Sequence, residues 1–192
     1  MIDEGIKPFR WTADEFYLAL DAGAFIDRRV QLIDGEILEM ASMKNWHALG
    51  VAALDDILSR EFGPGYWVRV QMSIDLSPHS LPDPDIAVIA GGYRSHRGPN
   101  NPTTALLLVE VSDTTLRYDR RVKTSLYAAA GIADYWILNL VDRQLEVYRE
   151  PVPDPNARFG WVYASRSDLL PGATISPLSL PGASIAIADL LP

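Results

Sequence analysis

Three charged residues near the middle of the chain, Asp85, Glu110 and Lys123, are of the types that a metal-dependent hydrolytic site requires. Carboxylate oxygens are the ligands that hard divalent cations such as Mg²⁺ and Mn²⁺ prefer. A lysine ammonium group beside them would stabilise an attacking hydroxide or the negative charge that builds on a phosphate in the transition state. Together these residue types indicate hydrolysis at a phosphate assisted by Mg²⁺ or Mn²⁺, with Asp85 and Glu110 as metal ligands.

The predicted strands bring the two carboxylates together. Residues 86–90 and 105–112 are short apolar runs, which are typical of buried strands. Asp85 precedes the first strand and Glu110 lies near the end of the second, so antiparallel pairing would set them side by side. Ser112 is two residues beyond Glu110 and projects from the same face.

The lysine is predicted on a helix over residues 118–130. Its expected core stripe consists of three apolar residues at helical spacing, Val122, Leu126 and Ala129. Lys123 lies off that stripe, with Asp119 and Tyr127 one turn to either side. An exposed ion pair of Asp119 and Lys123, worth only about 0.3–0.5 kcal/mol, is the competing interpretation of this lysine.

The other elements follow from periodicity and turn residues. The sequence predicts helices at 12–20 and 45–62, a hairpin of 30–33 and 37–40 around Asp34-Gly35, a strand at 66–76, and a terminal hairpin of 134–140 and 145–149. Prolines divide residues 151–192 into short pieces, for which we expect an edge strand or two and a tail that packs on the core. The order predicts one mixed α/β domain over residues 1–192, with helices flanking a single central sheet.

Composition sets limits on function. The 192 residues carry a net charge of −8, which argues against a protein that coats DNA, although a carboxylate site can rely on its own cation for positive charge. Cysteine is absent, which excludes disulfides and thiolate metal sites. The first ten residues lack the pattern of a signal peptide, and no apolar run approaches the ~20 residues of a membrane helix. We expect a cytoplasmic protein that does not enter a membrane.

Several stretches in a fixed order resemble one bacterial family. They are Leu32-Ile33-Asp34-Gly35-Glu36-Ile37, Pro84-Asp85-Ile86-Ala87-Val88, Val109-Glu110-Val111-Ser112-Asp113, Tyr118-Asp119-Arg120, Lys123, Tyr127-Ala128, Ala130-Gly131-Ile132 and Asp134-Tyr135-Trp136. The chain is similar over residues 10–190 to the Uma-type family of proposed restriction endonucleases, long catalogued as a domain of unknown function.

The resemblance implies a PD-(D/E)XK nuclease core, a divalent cation, DNA as the substrate and a homodimer. The motif would be formed here by Pro84-Asp85 and Glu110-Val111-Ser112, with Ser112 where the family pattern has lysine. The resemblance implies that this lysine has migrated to the following helix as Lys123.

Further candidates each have a structural alternative. Glu36, after the hairpin turn, would be a third metal ligand or a solvated turn residue. His47 would orient a phosphate or water, or is a structural residue in the first turn of a helix. Gln71 would hydrogen-bond near the site or lie on an open sheet face. Gln31 stands where relatives often carry an acidic residue, so no carboxylate is expected there.

Two other functions remain open from the sequence. One is a nuclease-fold protein that no longer cuts and acts as a homo-oligomeric binding module, which the acidic charge and the lack of a basic and aromatic stripe favour. The other is hydrolysis of a smaller phosphoester than DNA.

Overall fold

A computed structural model describes residues 6–40 and 42–192, which form five α-helices and ten strands. The helices are α1 (Ala13–Asp21), α2 (Asn45–Phe62), α3 (Leu116–Tyr118), α4 (Thr124–Ala129) and α5 (Ile187–Leu190). The strands are β1 (Val30–Ile33), β2 (Glu36–Glu39), β3 (Tyr66–Val70), β4 (Ile86–Ala90), β5 (Leu107–Ser112), β6 (Asp134–Asn139), β7 (Gln144–Pro153), β8 (Trp161–Leu169), β9 (Thr174–Ile175) and β10 (Ile185–Ala186). Within the described ranges, no helix has the length and apolarity needed to cross a membrane.

Six strands form the central sheet in the order β3-β4-β5-β6-β7-β8. Neighbouring strands are antiparallel except β5 and β6, which run parallel and are connected by the helical segment that includes α3 and α4. β1 and β2 form the predicted hairpin beside this sheet, and β9 pairs with β10. The predicted mixed α/β fold with one central sheet is confirmed.

The register of β4 and β5 determines where the two carboxylates lie. The strands are antiparallel and Ile86 pairs with Val109. The same register continued by one residue sets Asp85 opposite Glu110, and opposed residues of antiparallel strands project from one face.

Apolar clusters cover both faces of the sheet. On one face, α2 packs against β3, β4 and β5 and buries Leu54 and Leu58, and α5 packs against α2. On the other face, α4 packs against β7 and β8 and buries Leu126 and Tyr127. Glu110 alternates with apolar neighbours along β5 and therefore projects toward the second face.

The helical segment between β5 and β6 differs from its prediction. Residues Asp119–Lys123 form a π-helical segment between α3 and α4. Ala129, expected in the core, is exposed and Val122 is only half-buried, whereas Lys123 is 2% exposed. The wider π turn changes which residues share a face, so a stripe derived from 3.6-residue periodicity was wrong at this position.

Two strand boundaries also differ from the prediction. β3 ends at Val70, because Gln71 adopts a positive φ of 50° and its N–H donates to the carbonyl oxygen of Asp85. β7 continues past Arg149 to Pro153 and pairs there with β8 alone. Proline is tolerated in that part of β7 because β6 no longer pairs with it. The terminal hairpin is followed by β8, which is an edge strand of the sheet, as expected for residues 151–192.

Candidate active site

Three protein groups hold the carboxylate of Asp85. The backbone N–H of Val111 donates to Oδ2 over 2.8 Å, and the side-chain amide of Gln71 donates to Oδ1 over 2.9 Å. His47 Nε2 lies 3.0 Å from the same Oδ1. Burial raises the pKa of Asp85, but the hydrogen bonds and charge of its partners, His47 first, outweigh burial and hold the pKa below its ordinary value. Asp85 is therefore an ionised carboxylate with a fixed orientation.

Glu110 faces a buried lysine. The Nζ atom of Lys123 lies 2.7 Å from Oε1 of Glu110, and the Tyr127 hydroxyl donates to the same oxygen over 2.6 Å. The side chains of Lys123 and Glu110 are 2% and 4% exposed. The π-helical segment turns Lys123 toward the sheet. The lysine is therefore buried against Glu110, and its contact with Asp119 is buried as well, whereas the competing interpretation was an exposed ion pair of Asp119 and Lys123.

A second carboxylate flanks the lysine. Asp119 Oδ1 lies 3.8 Å from Nζ of Lys123. The Ser112 hydroxyl donates to the other oxygen of Asp119, Oδ2, over 2.7 Å. Ser112 therefore orients a carboxylate that contacts the lysine.

The charges of this cluster shift the pKa values of its members. Burial raises the pKa of Glu110 to about 8. The positive charge of Lys123 opposes this rise, and the negative charges of Asp119 and Asp85 add to it. Burial lowers the pKa of Lys123, but Glu110, Asp119 and Asp85 outweigh burial and keep the pKa above its ordinary value. Lys123 is therefore charged. The negative potential of the acidic side chains around it favours proton uptake by Glu110, and it equally favours another cation, which would displace that proton on binding.

A cavity of about 510 Å³ opens beside the cluster. Asp85, Glu110 and Lys123 all line it. Lys44 and Asp113 also line it, and their side chains form a partly exposed ion pair of 3.4 Å. This volume lies in the range of pockets that bind a small molecule, which is also the size of a single residue of a polymer.

Comparison with known proteins agrees with the resemblance. Residues 14–188 match the family model described as "Uma2: Putative restriction endonuclease". The chain belongs to the Uma2 family. Its fold is similar to the "Crystal structure of a putative nuclease belonging to DUF820 from Anabaena variabilis ATCC 29413", with a TM-score of 0.69 and 16% identity over 93% of this chain and 96% of that chain. At that identity the similarity shows the fold alone, which is restriction-endonuclease-like. No curated protein matches the chain.

The donor set of this Uma2 chain fits a hard divalent cation that is bound together with substrate. The described ranges contain no group of three His, Cys, Asp or Glu residues arranged to hold a metal ion. Mg²⁺, however, usually keeps several waters and takes only one or two carboxylates plus substrate phosphates. Asp85 and Glu110 supply two such carboxylates. Tyr127 and Lys123 both contact Oε1 of Glu110, and no hydrogen bond from residues 6–40 or 42–192 is made to its Oε2.

Glu36, expected as a third metal ligand, lies outside the site. It begins β2 next to the hairpin turn, and its side chain is 64% exposed. Its carboxylate pairs with Arg158 over 3.3 Å. The structure therefore does not bring Glu36 to the other carboxylates, because the hairpin directs it to solvent.

The cavity also contains a carboxylate that sequence reasoning missed, Asp83. Ser73 Oγ donates to its Oδ1 over 2.6 Å, and Gln31 Oε1 accepts from its backbone N–H over 3.3 Å. Burial raises the pKa of Asp83 above its ordinary value, although the Ser73 hydrogen bond opposes this. The sequence feature that could have identified Asp83 is its position two residues before Asp85, since alternate residues of an extended chain project to one side.

Proposed function

We propose that this chain is a divalent-cation-dependent endonuclease that hydrolyses phosphodiester bonds of DNA in the cavity beside Asp85, Glu110 and Lys123. The observation that carries the proposal is the buried lysine: its Nζ lies 2.7 Å from Glu110, on the sheet face where β4 and β5 set Asp85 opposite Glu110. A buried ammonium group among carboxylates costs desolvation energy that folding alone does not require. Perturbed groups of this kind concentrate at functional sites.

In this proposal, Asp85 and Glu110 hold the cation through their oxygens. The chemistry that such a cation supplies is a bound water of lowered pKa and partial neutralisation of the phosphate charge. Lys123 stabilises the negative charge that develops at phosphorus.

The remaining candidates act on these three residues. His47 and Gln71 fix the rotamer of Asp85, and Tyr127 fixes that of Glu110. Ser112 acts through Asp119, which its hydroxyl orients beside Lys123. Ser112 stands at the position where the family motif has lysine. This is consistent with the proposed arrangement, because Lys123 on the helical segment supplies the ammonium group instead.

The test is nicking of supercoiled DNA with Mg²⁺ or Mn²⁺. We expect Asp85→Asn, Glu110→Gln and Lys123→Met each to lower the rate at least about 10²-fold, the usual effect of removing one group that stabilises the transition state. Asp21→Asn, which changes an exposed carboxylate at the end of α1, is the matched control and should nick like the wild type. Equal nicking by all five proteins would mean that the activity belongs to a contaminant and would overturn the proposal.

The rival function is a binding module that keeps the carboxylates only for folding. The net charge of −8 favours it, since it disfavours contact with a polyanion. Calorimetric titration with Mn²⁺ separates the two functions. If the chain is an endonuclease, the wild type should bind Mn²⁺ and Glu110→Gln should lose that binding. If it is a binding module, the wild type and Glu110→Gln should show the same Mn²⁺ affinity. The homodimer and the cytoplasmic location that the sequence suggested stay predictions.

A further inference from the structure

A second concave surface adjoins the catalytic cavity. Its wall is formed by the helical segment 114–125 and by the turn 154–158 that precedes β8. Thr114 and Tyr118 line both concavities, so these two residues form the border between them. We name this surface the arginine groove, after Arg117, Arg121 and Arg158 in its wall.

The arginines of this groove are unusual in an acidic chain. Arg117 and Arg121 are exposed and form no ion pair with the described residues 6–40 and 42–192. Arg120, between them, is instead engaged with Glu146. Like charges close together on a helical surface are mildly destabilising, so folding does not account for Arg117 and Arg121.

The opposite wall adds a third guanidinium group and one carboxylate. Arg158 Nη2 lies 3.3 Å from Glu36 and 3.6 Å from Asp34, in exposed pairs that contribute little to stability and that a phosphate can replace. Asp154 also lines the groove, and its Oδ1 accepts the backbone N–H of Asn156. Apart from Arg120, which Glu146 binds, three arginines and one carboxylate that is already hydrogen-bonded line the groove.

We infer that the arginine groove binds backbone phosphates of DNA adjacent to the bond that is cut. Guanidinium groups bind phosphate through paired N–H donors, and arginine is the residue best suited to this contact. The groove lies outside the catalytic cavity, so a small phosphoester that fills the cavity does not use it, whereas a polynucleotide passes through both. The inference rests on the proposed endonuclease function and adds a second surface that contacts the same DNA.

The test compares two pairs of substitutions that change the net charge equally. Arg117→Ser with Arg121→Ser removes the two groove arginines that form no ion pair. Arg94→Ser with Arg97→Ser is the matched control, because these exposed residues follow the opposite end of β4 from Asp85 and line neither concavity. Binding of a short fluorescent DNA duplex is measured by anisotropy at several salt concentrations without divalent cation.

We call the double variant Arg117→Ser with Arg121→Ser the groove pair and expect it to weaken DNA binding at least about 10-fold. It should also reduce the slope of log K against log salt by about 2, because each lost phosphate contact reduces that slope by about 0.9. The control pair should keep the wild-type slope. Equal affinities and slopes for the two pairs would overturn the inference, and so would tighter binding of an RNA duplex of the same sequence.

Hydrolysis of bis(p-nitrophenyl) phosphate separates this inference from the proposed function. The groove pair should raise KM for DNA and hydrolyse the small diester at the wild-type rate. Loss of both activities in the groove pair, with DNA binding unchanged, would overturn the groove assignment. If the wild type hydrolyses neither substrate, the endonuclease proposal fails, and the binding experiment alone still decides whether the groove holds DNA.

Discussion

Lys123 connects stability and chemistry at the scale of single residues, because its buried ammonium group contacts Glu110 and lies beside Asp119. We expect Lys123→Met to lower the free energy of unfolding by about 3–5 kcal/mol, the usual cost of leaving one member of a buried pair unpaired. The double variant Lys123→Met with Glu110→Gln should lose less, since the glutamine side chain carries no charge, yet it should remain inactive. Urea unfolding measures both. If the separate effects of Lys123→Met and Glu110→Gln on the free energy of unfolding add in the double variant, the two side chains are not coupled.

The sequence predicted that Asp85 and Glu110 lie together, because the strand pattern is sufficient to bring two carboxylates side by side. The prediction that Lys123 reaches them from the helix depended on the family resemblance. Sequence reasoning named Glu36 as a possible third ligand and did not name Asp83, and both have one reason. The direction of a side chain beside a turn depends on how that segment docks against the sheet, and local periodicity carries no information about docking.

At the scale of elements, the π-helical segment Asp119–Lys123 sets the direction of the lysine. A π turn corresponds to one residue inserted into an α-helix, and removing that residue rotates one side by about 100° relative to the other. We expect deletion of Arg121 to lower nicking at least about 10²-fold relative to Arg121→Ser, because misplacement by 1 Å can have that effect. Arg121→Ser is the control, since it loses the same side chain and keeps the chain length. Similar nicking rates for both would show that the segment does not position Lys123.

The π-helical segment is attached to β7 through Glu146, whose side chain is fully buried. Its carboxylate accepts hydrogen bonds from Arg120, Asn139 and Tyr148. Burial raises the pKa of Glu146, but these hydrogen bonds outweigh burial and hold the pKa below its ordinary value. Because Glu146 binds protons more weakly in the folded state, its stabilisation is complete above the ordinary pKa of glutamate and is lost as the pH falls through the lower folded pKa.

We therefore expect Glu146→Gln to lower the free energy of unfolding by about 1.5–3 kcal/mol at neutral pH, the range for hydrogen bonds to a charged group. The difference from the wild type should shrink as the pH falls below the ordinary glutamate pKa. Urea unfolding of both proteins from neutral to acidic pH measures this. A difference that stays constant with pH would show that the carboxylate charge does not stabilise the fold.

The sequence predicted most helices and strands, because hydrophobic periodicity and turn residues determine them locally. It did not predict the π turn, which contacts such as Arg120 with Glu146 hold in place across the fold. Nor did it predict the length of β7, because the end of β6 leaves the far part of β7 as an edge where Pro151 is tolerated.

At the scale of the whole molecule, the C-terminal residues complete the core under α2. Ile187 and Leu190 of α5 are fully buried in the same cluster as Leu54 of α2. α2 also carries His47, which contacts Asp85. The C-terminal segment thus supports the helix that orients one of the proposed metal ligands.

We expect Leu190→Ala to lower the free energy of unfolding by about 2–5 kcal/mol, because a fully buried leucine leaves a cavity when it is truncated. Leu178→Ala, at a position that is 48% exposed in the same segment, should change it by no more than about 0.5 kcal/mol. Urea unfolding of the two variants provides the comparison. A chain ending at Leu169 should fail to fold, since the apolar surface of α2 would face water. Wild-type stability of that truncated chain would instead show that residues 170–192 are an appendage, and then His47 would keep its place without them.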